Sequence, residues 1–165
     1  MLNGGCVTLR PMRADDWDAL YAVASDPLLW EVHPAHDRWR EDVFRAYFNA
    51  GIASGGALAI VDRSTGKIIG SSRYDNWKPQ QDEIEIGWTF LDRAYWGRRI
   101  NAEVKRLMLD HIHCFVATAT FSVGEGNIRS RRAMEKVGGV LRAGTELRRM
   151  AGVDVPHVVY EIRRV

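Results

Sequence analysis

One stretch restricts the fold of this chain more than any other: Glu83 to Ala102, EIEIGWTFLDRAYWGRRINA. Its first half alternates, with Ile84, Ile86 and Trp88 on one face, and is expected to form a strand. After a break at Leu91-Asp92-Arg93 the chain turns at Trp96-Gly97 into an amphipathic helix. A helix that starts behind a strand presents backbone N–H groups with no partner inside the helix, at the positive end of its dipole, so an anion there meets several donors at once. Gly97 lets the backbone approach a ligand closely, and Arg98 and Arg99 add charge beside it. A glycine at a tight turn with two solvated arginines gives the same pattern, so the rest of the chain has to decide.

Composition removes several classes. At 165 residues, 46% apolar and 27% charged, the chain suits a single domain spanning 1–165 with its own core. A net charge of +2 lacks the strongly basic footprint of a nonspecific nucleic-acid binder, so no nucleic-acid partner is expected. Cys6 and Cys114 have no metal or redox spacing and are expected as reduced thiols. His33 and His36 lack a carboxylate or cysteine to complete a metal site, so no metal is expected. No apolar leader follows Met1, and no apolar run reaches the ~18 residues of a membrane span, which makes the cytoplasm the expected location and excludes a membrane partner.

Taken in order, Val7-Thr8-Leu9-Arg10-Pro11 reads as a first strand, and Ala14-Asp15-Asp16 opens a helix with Trp17, Leu20, Tyr21 and Ala24 on one face, ended by Asp26-Pro27. The segment Leu28 to Arg40 is irregular and aromatic, either a substrate wall or a loop anchored by buried Trp30 and Trp39. A second helix is expected over 39–53, with Trp39, Val43, Ala46, Tyr47 and Ala50 as its apolar stripe and Ser54-Gly55-Gly56 as its end. Three antiparallel strands should follow as a meander: Ala57 to Val61, Ile68 towards Trp77, and the Glu83 strand. The helix after Gly97 carries Ile100, Val104, Leu107, Met108 and Phe115 on one side and Glu103, Lys105, Arg106 and Asp110 mostly on the other. A buried strand at Ala119 to Val123, a helix Ile128 to Val137 capped by Asn127, and a hairpin of Val140 to Met150 with Pro156 to Arg163 complete the order β-α-α-β-β-β-α-β-α-β-β.

At this point the sequence resembles the GNAT superfamily of acyl-CoA-dependent N-acyltransferases, and within it the RimJ/RimL-like branch. Val7 to Pro11 with Asp15-Asp16 resembles the opening strand and helix, and Ile84-Glu85-Ile86-Gly87-Trp88 the central splayed strand. Tyr95-Trp96-Gly97-Arg98-Arg99-Ile100-Asn101-Ala102-Glu103 lies where the pyrophosphate loop is expected, and Asn127 to Gly138 resembles the late helix beside the cofactor. The resemblance implies an α+β fold, an α/β/α sandwich around a mixed, mostly antiparallel sheet with a splayed strand pair. Two positions depart from the pattern. Arg99 stands where a second glycine is usual, which requires its side chain to point away from the phosphates. Met134 stands where a tyrosine often protonates the leaving thiolate, and a thioether cannot donate a proton.

The resemblance implies acetyl transfer from acetyl-CoA to a primary amine, either a protein N-terminus or a small molecule. Backbone at Trp88, Thr89, Phe90 and Leu91 would pair with the pantetheine arm, and that of Arg98, Arg99, Ile100, Asn101 and Ala102 would hold the pyrophosphate. Asn127 and Arg132, with Lys136 four residues on, would add cofactor contacts. Glu85 is the candidate base, or else a strand glutamate paired with a cation such as Arg73. Ser130 is the hydroxyl left near the thiol, or else packs in its helix. Trp30, His33 and Arg73 are the candidate acceptor contacts. A catalytically weak acyl-CoA-binding regulatory domain is the alternative, and a nucleotide-binding α/β protein is disfavoured by the meander and by the lack of a Gly-x-Gly-x-x-Gly run. The last strands are candidates for a homodimer contact.

Overall fold

Strands form where apolar and polar residues alternate, and helices where the apolar residues recur every three or four positions. The computed structural model describes residues 1–164. Its elements are β1 (Leu2–Asn3), β2 (Val7–Pro11), α1 (Trp17–Ala24), α2 (Glu41–Ser54), β3 (Ala57–Asp62), β4 (Ile68–Lys78), β5 (Glu83–Leu91), α3 (Ile100–Ile112), β6 (Thr118–Gly124), α4 (Ile128–Lys136), β7 (Val140–Leu141), β8 (Glu146–Met150) and β9 (Val153–Arg163). All nine strands join one sheet in the order β1-β2-β3-β4-β5-β6-β9, with β7 and β8 both on the outer edge of β9. Every pairing is antiparallel except β5 with β6, which the α3 crossover makes parallel. The expected α+β, mostly antiparallel sheet is therefore found.

Two apolar clusters cover the two faces. One joins Val7, Leu9, Ile60, Ile86 and Phe121 to Ile100, Val104, Met108 and Ile112 of α3 and Met134 of α4. The other joins Leu20 and Ala24 of α1, Phe44 and Phe48 of α2, Leu29, Trp30 and Phe90. The sheet lies between them, so the layering is the expected α/β/α.

Local expectations need four corrections. In α2 the buried stripe is Phe44, Phe48 and Gly51 with Tyr47 and Val43 half-buried, whereas Ala46, Ala50 and Trp39 are exposed. Rings packing on Trp17 and Phe90 outweigh the alanines and rotate the helix onto its phenylalanines. In α3 Lys105 is buried at 4% exposure, while Phe115, beyond the helix end, is 67% exposed. The run from Val140 to Met150 is two strands, β7 and β8, interrupted by Gly144 at φ +88°. Finally, Leu2–Asn3 adds a short edge strand on β2.

The alternation of β5 also breaks where it matters for the site. Ser71 faces Phe90 and Arg73 faces Gly87, so two steps along β4 span three along β5. The extra residue is a β-bulge, and Trp88 inside it has φ +53°. The expected common face of Ile84, Ile86 and Trp88 therefore ends at the bulge, and the Trp88 ring lies 3.9 Å from the Arg73 guanidinium instead.

Candidate active site

Parallel pairing of β5 with β6 extends only from Glu83–Thr118 to Glu85–Thr120. β5 then continues to Leu91 and β6 to Gly124 without a ladder between them, so the two strands splay. A cleft of about 760 Å³ fills the gap. Its walls are Ile86–Leu91 on one side, Phe121–Gly124 on the other, and the N-terminal turns of α3 and α4 at one end.

At that end the chain enters α3 through a left-handed glycine. Gly97 has φ +73°, and a side chain there would meet nothing within 4 Å, so backbone conformation rather than crowding makes the position a glycine. No side chain caps α3, whose N-cap is Arg99, so its first N–H groups have no side-chain acceptor. The loop is tied down: the Tyr95 hydroxyl donates to Asp62 at 2.7 Å, and Trp96 Nε1 donates to the Leu91 carbonyl at 3.0 Å. Asp62 also accepts from Ser64 and Thr65, and the bond from Tyr95 together with these holds its carboxyl far below the usual range. Arg129 of α4 stacks on Trp96 at 3.9 Å, joining the two helix starts across the mouth.

The cleft is lined by most of the residues expected for the cofactor: Trp88, Thr89, Phe90, Leu91, Gly97, Arg98, Asn101, Ala102, Asn127 and Arg132. Arg99 and Ile100 do not line it; Arg99 is exposed and Ile100 packs in the core. The arginine at the second-glycine position thus leaves the cleft open. Asn127 caps α4, its side chain accepting from the Ser130 N–H at 3.2 Å. Ser130 lines the same wall, and Met134 beneath it is 4% exposed.

Glu85 is buried and lines the cleft, but its carboxylate is occupied. Arg148 of β8 donates to both oxygens at 2.9 Å and Asn76 donates at 2.7 Å. The expected pairing with a cation is real, with Arg148 in place of Arg73. Both its oxygens already accept hydrogen bonds, so an incoming amine would have to displace Arg148 or Asn76. Lys105 is the titratable group that sequence spacing missed. Its ammonium donates to Thr89 Oγ1 at 2.7 Å and lies 5.3 Å from the Phe121 ring centre, with no carboxylate within 4 Å among the described residues. Burial pushes it down to about 7. Thr89 Oγ1 shares a further hydrogen bond with Ser72 Oγ at 2.7 Å, so the lysine sits at the head of a short hydroxyl chain into the sheet. The signal was available: Lys105 precedes Met108 and Leu109 by three and four residues, the spacing of the buried face.

Behind the bulge a second hollow of about 410 Å³ shares Arg38, Trp88 and Met150 with the cleft. It lies between the 35–38 segment, α2 and the β8–β9 turn, where the sequence suggests a substrate wall. Tyr47 donates to the Trp88 carbonyl at 2.6 Å and so braces the bulge. Of the expected acceptor contacts, Arg73 lines this hollow, whereas Trp30 and His33 line the cleft. Trp30 is core, its Nε1 donating to the Ala24 carbonyl at 2.7 Å. His33 Nδ1 accepts from the Ala35 N–H, and burial pushes the imidazole down to about 3, so it is neutral.

This geometry agrees with what the sequence matches. Residues 7–140 match the model of the acetyltransferase (GNAT) domain family. The chain belongs to this family. A GCN5-related N-acetyltransferase from Brucella melitensis has the same fold, with a TM-score of 0.84 at 20% identity over 98% of this chain and 77% of its own. Spermidine N-acetyltransferase from Vibrio cholerae, solved with CoA and spermine, superposes with a TM-score of 0.74 at 14% identity over 97% and 96% of the two chains. The microcin C7 self-immunity acetyltransferase MccE, solved with acetyl-CoA and AMP, gives 0.80 at 14% identity over 98% and 94%. No curated protein sequence matches closely enough to count as a relative. Among the described residues of this GNAT domain, no group of three or more His, Cys, Asp or Glu is arranged to hold a metal ion, and no helix is long and apolar enough to cross a membrane.

Proposed function

We propose that this GNAT domain, acting as a single unit over 1–165, transfers the acetyl group of acetyl-CoA to a primary amine by direct attack in a ternary complex. The observation that carries the reading is the splay of β5 from β6 beside the uncapped start of α3. Strands that diverge leave backbone groups of Trp88 to Leu91 free of a β6 partner, and these suit the amide groups of a pantetheine arm. N–H groups of Arg98 to Ala102, with Arg98, Arg132 and Lys136 nearby, suit a pyrophosphate and a further phosphate.

In the reaction the neutral amine attacks the thioester carbonyl carbon, a C–N bond forms, and the oxyanion collapses with cleavage of the C–S bond. A backbone N–H at the Trp88 bulge is the donor we assign to the oxyanion. We assign the amine proton to Lys105 in place of Glu85, because Lys105 is unpaired and titrates near neutrality while Glu85 is held by Arg148. We assign protonation of the departing thiolate to Ser130, which lines the cleft, the tyrosine position being Met134. We place the chain in the RimJ/RimL-like branch on the four stretches quoted above, and the reaction in the cytoplasm.

The buried Met134 also favours a second reading, an acyl-CoA-binding regulatory domain with little turnover. Thermal unfolding with acetyl-CoA, CoA and NAD, followed by thiol release with a panel of amines, separates the two. Acetyl-CoA at ~100 times its Kd should add about 2.7 kcal/mol of stability. Protection with thiol release supports the transferase, protection without release on any amine supports the binding domain, and absence of protection refutes both.

A further inference from the structure

The hollow behind the bulge is where an acceptor would approach a thioester lying in the cleft, and its charge is distinctive. Arg38 projects between Trp30 and Tyr47, its guanidinium 5.2 and 4.9 Å from the two ring centres. It makes no side-chain hydrogen bond or ion pair among the described residues. Arg73, 7% exposed, stacks on Trp88, and its one ion pair among the described residues is with Asp75, 3.1 Å from its Nε, at an angle that leaves that N–H without a hydrogen bond. Arg149 adds a third cation, offset by its pairing with Asp154, and Asp37 is the single carboxylate lining the hollow.

Buried cations normally carry counter-charges, because a desolvated guanidinium without an acceptor forfeits its hydration for nothing. Burial, with Arg73 nearby, pushes the Arg38 guanidinium below its ordinary value. Among the described residues the half-buried Arg38 has no ion pair, and Arg73 has one carboxylate against its Nε while no side-chain hydrogen bond engages its Nη atoms, so both guanidiniums have donors left for an anion the protein does not supply.

We propose that the acceptor is an amine carrying its own anionic group, a carboxylate or a phosphate, which Arg38 and Arg73 bind while the amine faces the bulge. This rests on the transferase reading above and gives its acceptor a class. Arg73 stacks on Trp88 and Arg38 lines the same hollow, an arrangement that suits a compact acceptor such as an amino acid or an amino-alkyl phosphate. A polyamine such as the spermine bound by the Vibrio cholerae enzyme has the opposite charge. The transfer is unaltered: the amine nitrogen gains the acetyl group and loses a proton, and the CoA thiolate gains one.

The test is thiol release from acetyl-CoA with matched acceptors: each L-amino acid against its α-amide and its decarboxylated amine, O-phosphoethanolamine against ethanolamine, and spermidine. At least one anionic member should exceed its neutral partner by tenfold or more in kcat/KM, and the arm that wins identifies carboxylate or phosphate. Arg38→Gln, which leaves the sheet untouched, should raise KM for that acceptor at least tenfold and bring the ratio towards one, with thermal protection by acetyl-CoA unchanged. Preference for neutral amines or spermidine, or an unaltered ratio in Arg38→Gln, overturns the inference while leaving the transferase intact. Protection by acetyl-CoA without release on any acceptor overturns the transferase reading and the inference with it.

Discussion

Replacing Lys105 with Met tests the buried lysine by two readouts. The side chain is 4% exposed, has one hydrogen bond, to Thr89, and burial carries its ammonium from 10.5 to about 7. At ~1.4 kcal/mol per pH unit, that displacement corresponds to roughly 5 kcal/mol against folding with the lysine charged. Below pH 7 both folded and unfolded chains hold the proton, and the whole penalty is present. Between pH 7 and 10.5 the unfolded chain holds the proton and the folded chain has lost it, so stability rises with pH. Met matches the length of the stem and removes the charge, at the expense of the bond to Thr89. We therefore expect Lys105→Met to be about 1–3 kcal/mol more stable at pH 6, with the advantage shrinking steadily towards pH 10. Urea unfolding of both proteins across pH 6–10, without acetyl-CoA, measures the difference. Turnover should show the complement: an acid limb near pH 7 in the parent, and a fall of ~100-fold with loss of that limb in the variant. Parallel stability curves would refute the burial argument, and an unchanged pH–rate profile would remove Lys105 from the chemistry.

Three further substitutions probe the frame around it. Gly97→Ala should cost about 1–2 kcal/mol through its positive φ alone, and should weaken acetyl-CoA protection in thermal unfolding by displacing the α3 start. Glu85→Gln breaks the buried pair with Arg148 and should lower stability by about 3 kcal/mol in urea, while the pH at half-maximal turnover stays where it is; a shifted acid limb would return the base to Glu85. Asn127→Ala removes the cap of α4 and should cost about 1 kcal/mol, with a rise in KM for acetyl-CoA that Asn127→Asp largely reverses.

Much of the fold was legible because its signals are local. The β3–β4–β5 meander follows from turn residues at Asp62 to Lys67 and Lys78 to Gln81 between apolar runs, and the strand–Gly97–helix unit from period changes within 20 residues. The C-cap at Gly55, with φ +67°, and the N-cap at Asn127 were also readable, since a cap acts on its own helix. What failed did so where a distant partner outweighed the local pattern. α2 turned its phenylalanines inward because rings from α1 and β5 were there to receive them. Glu85 found Arg148, 63 residues away, and no spacing rule connects the two.

Most of the order of elements, the strand–Gly97–helix unit and membership of the GNAT family were thus contained in the sequence, because periodicity, capping and glycine conformation are properties of neighbours along the chain. The tertiary structure alone decided that the Glu85 carboxylate is occupied, that Lys105 is dry and that Arg38 has no ion pair among the described residues. Charge, desolvation and pairing depend on groups brought together from the 35–38 segment, β4, β5, α3 and β8, and those groups meet only when the sheet closes.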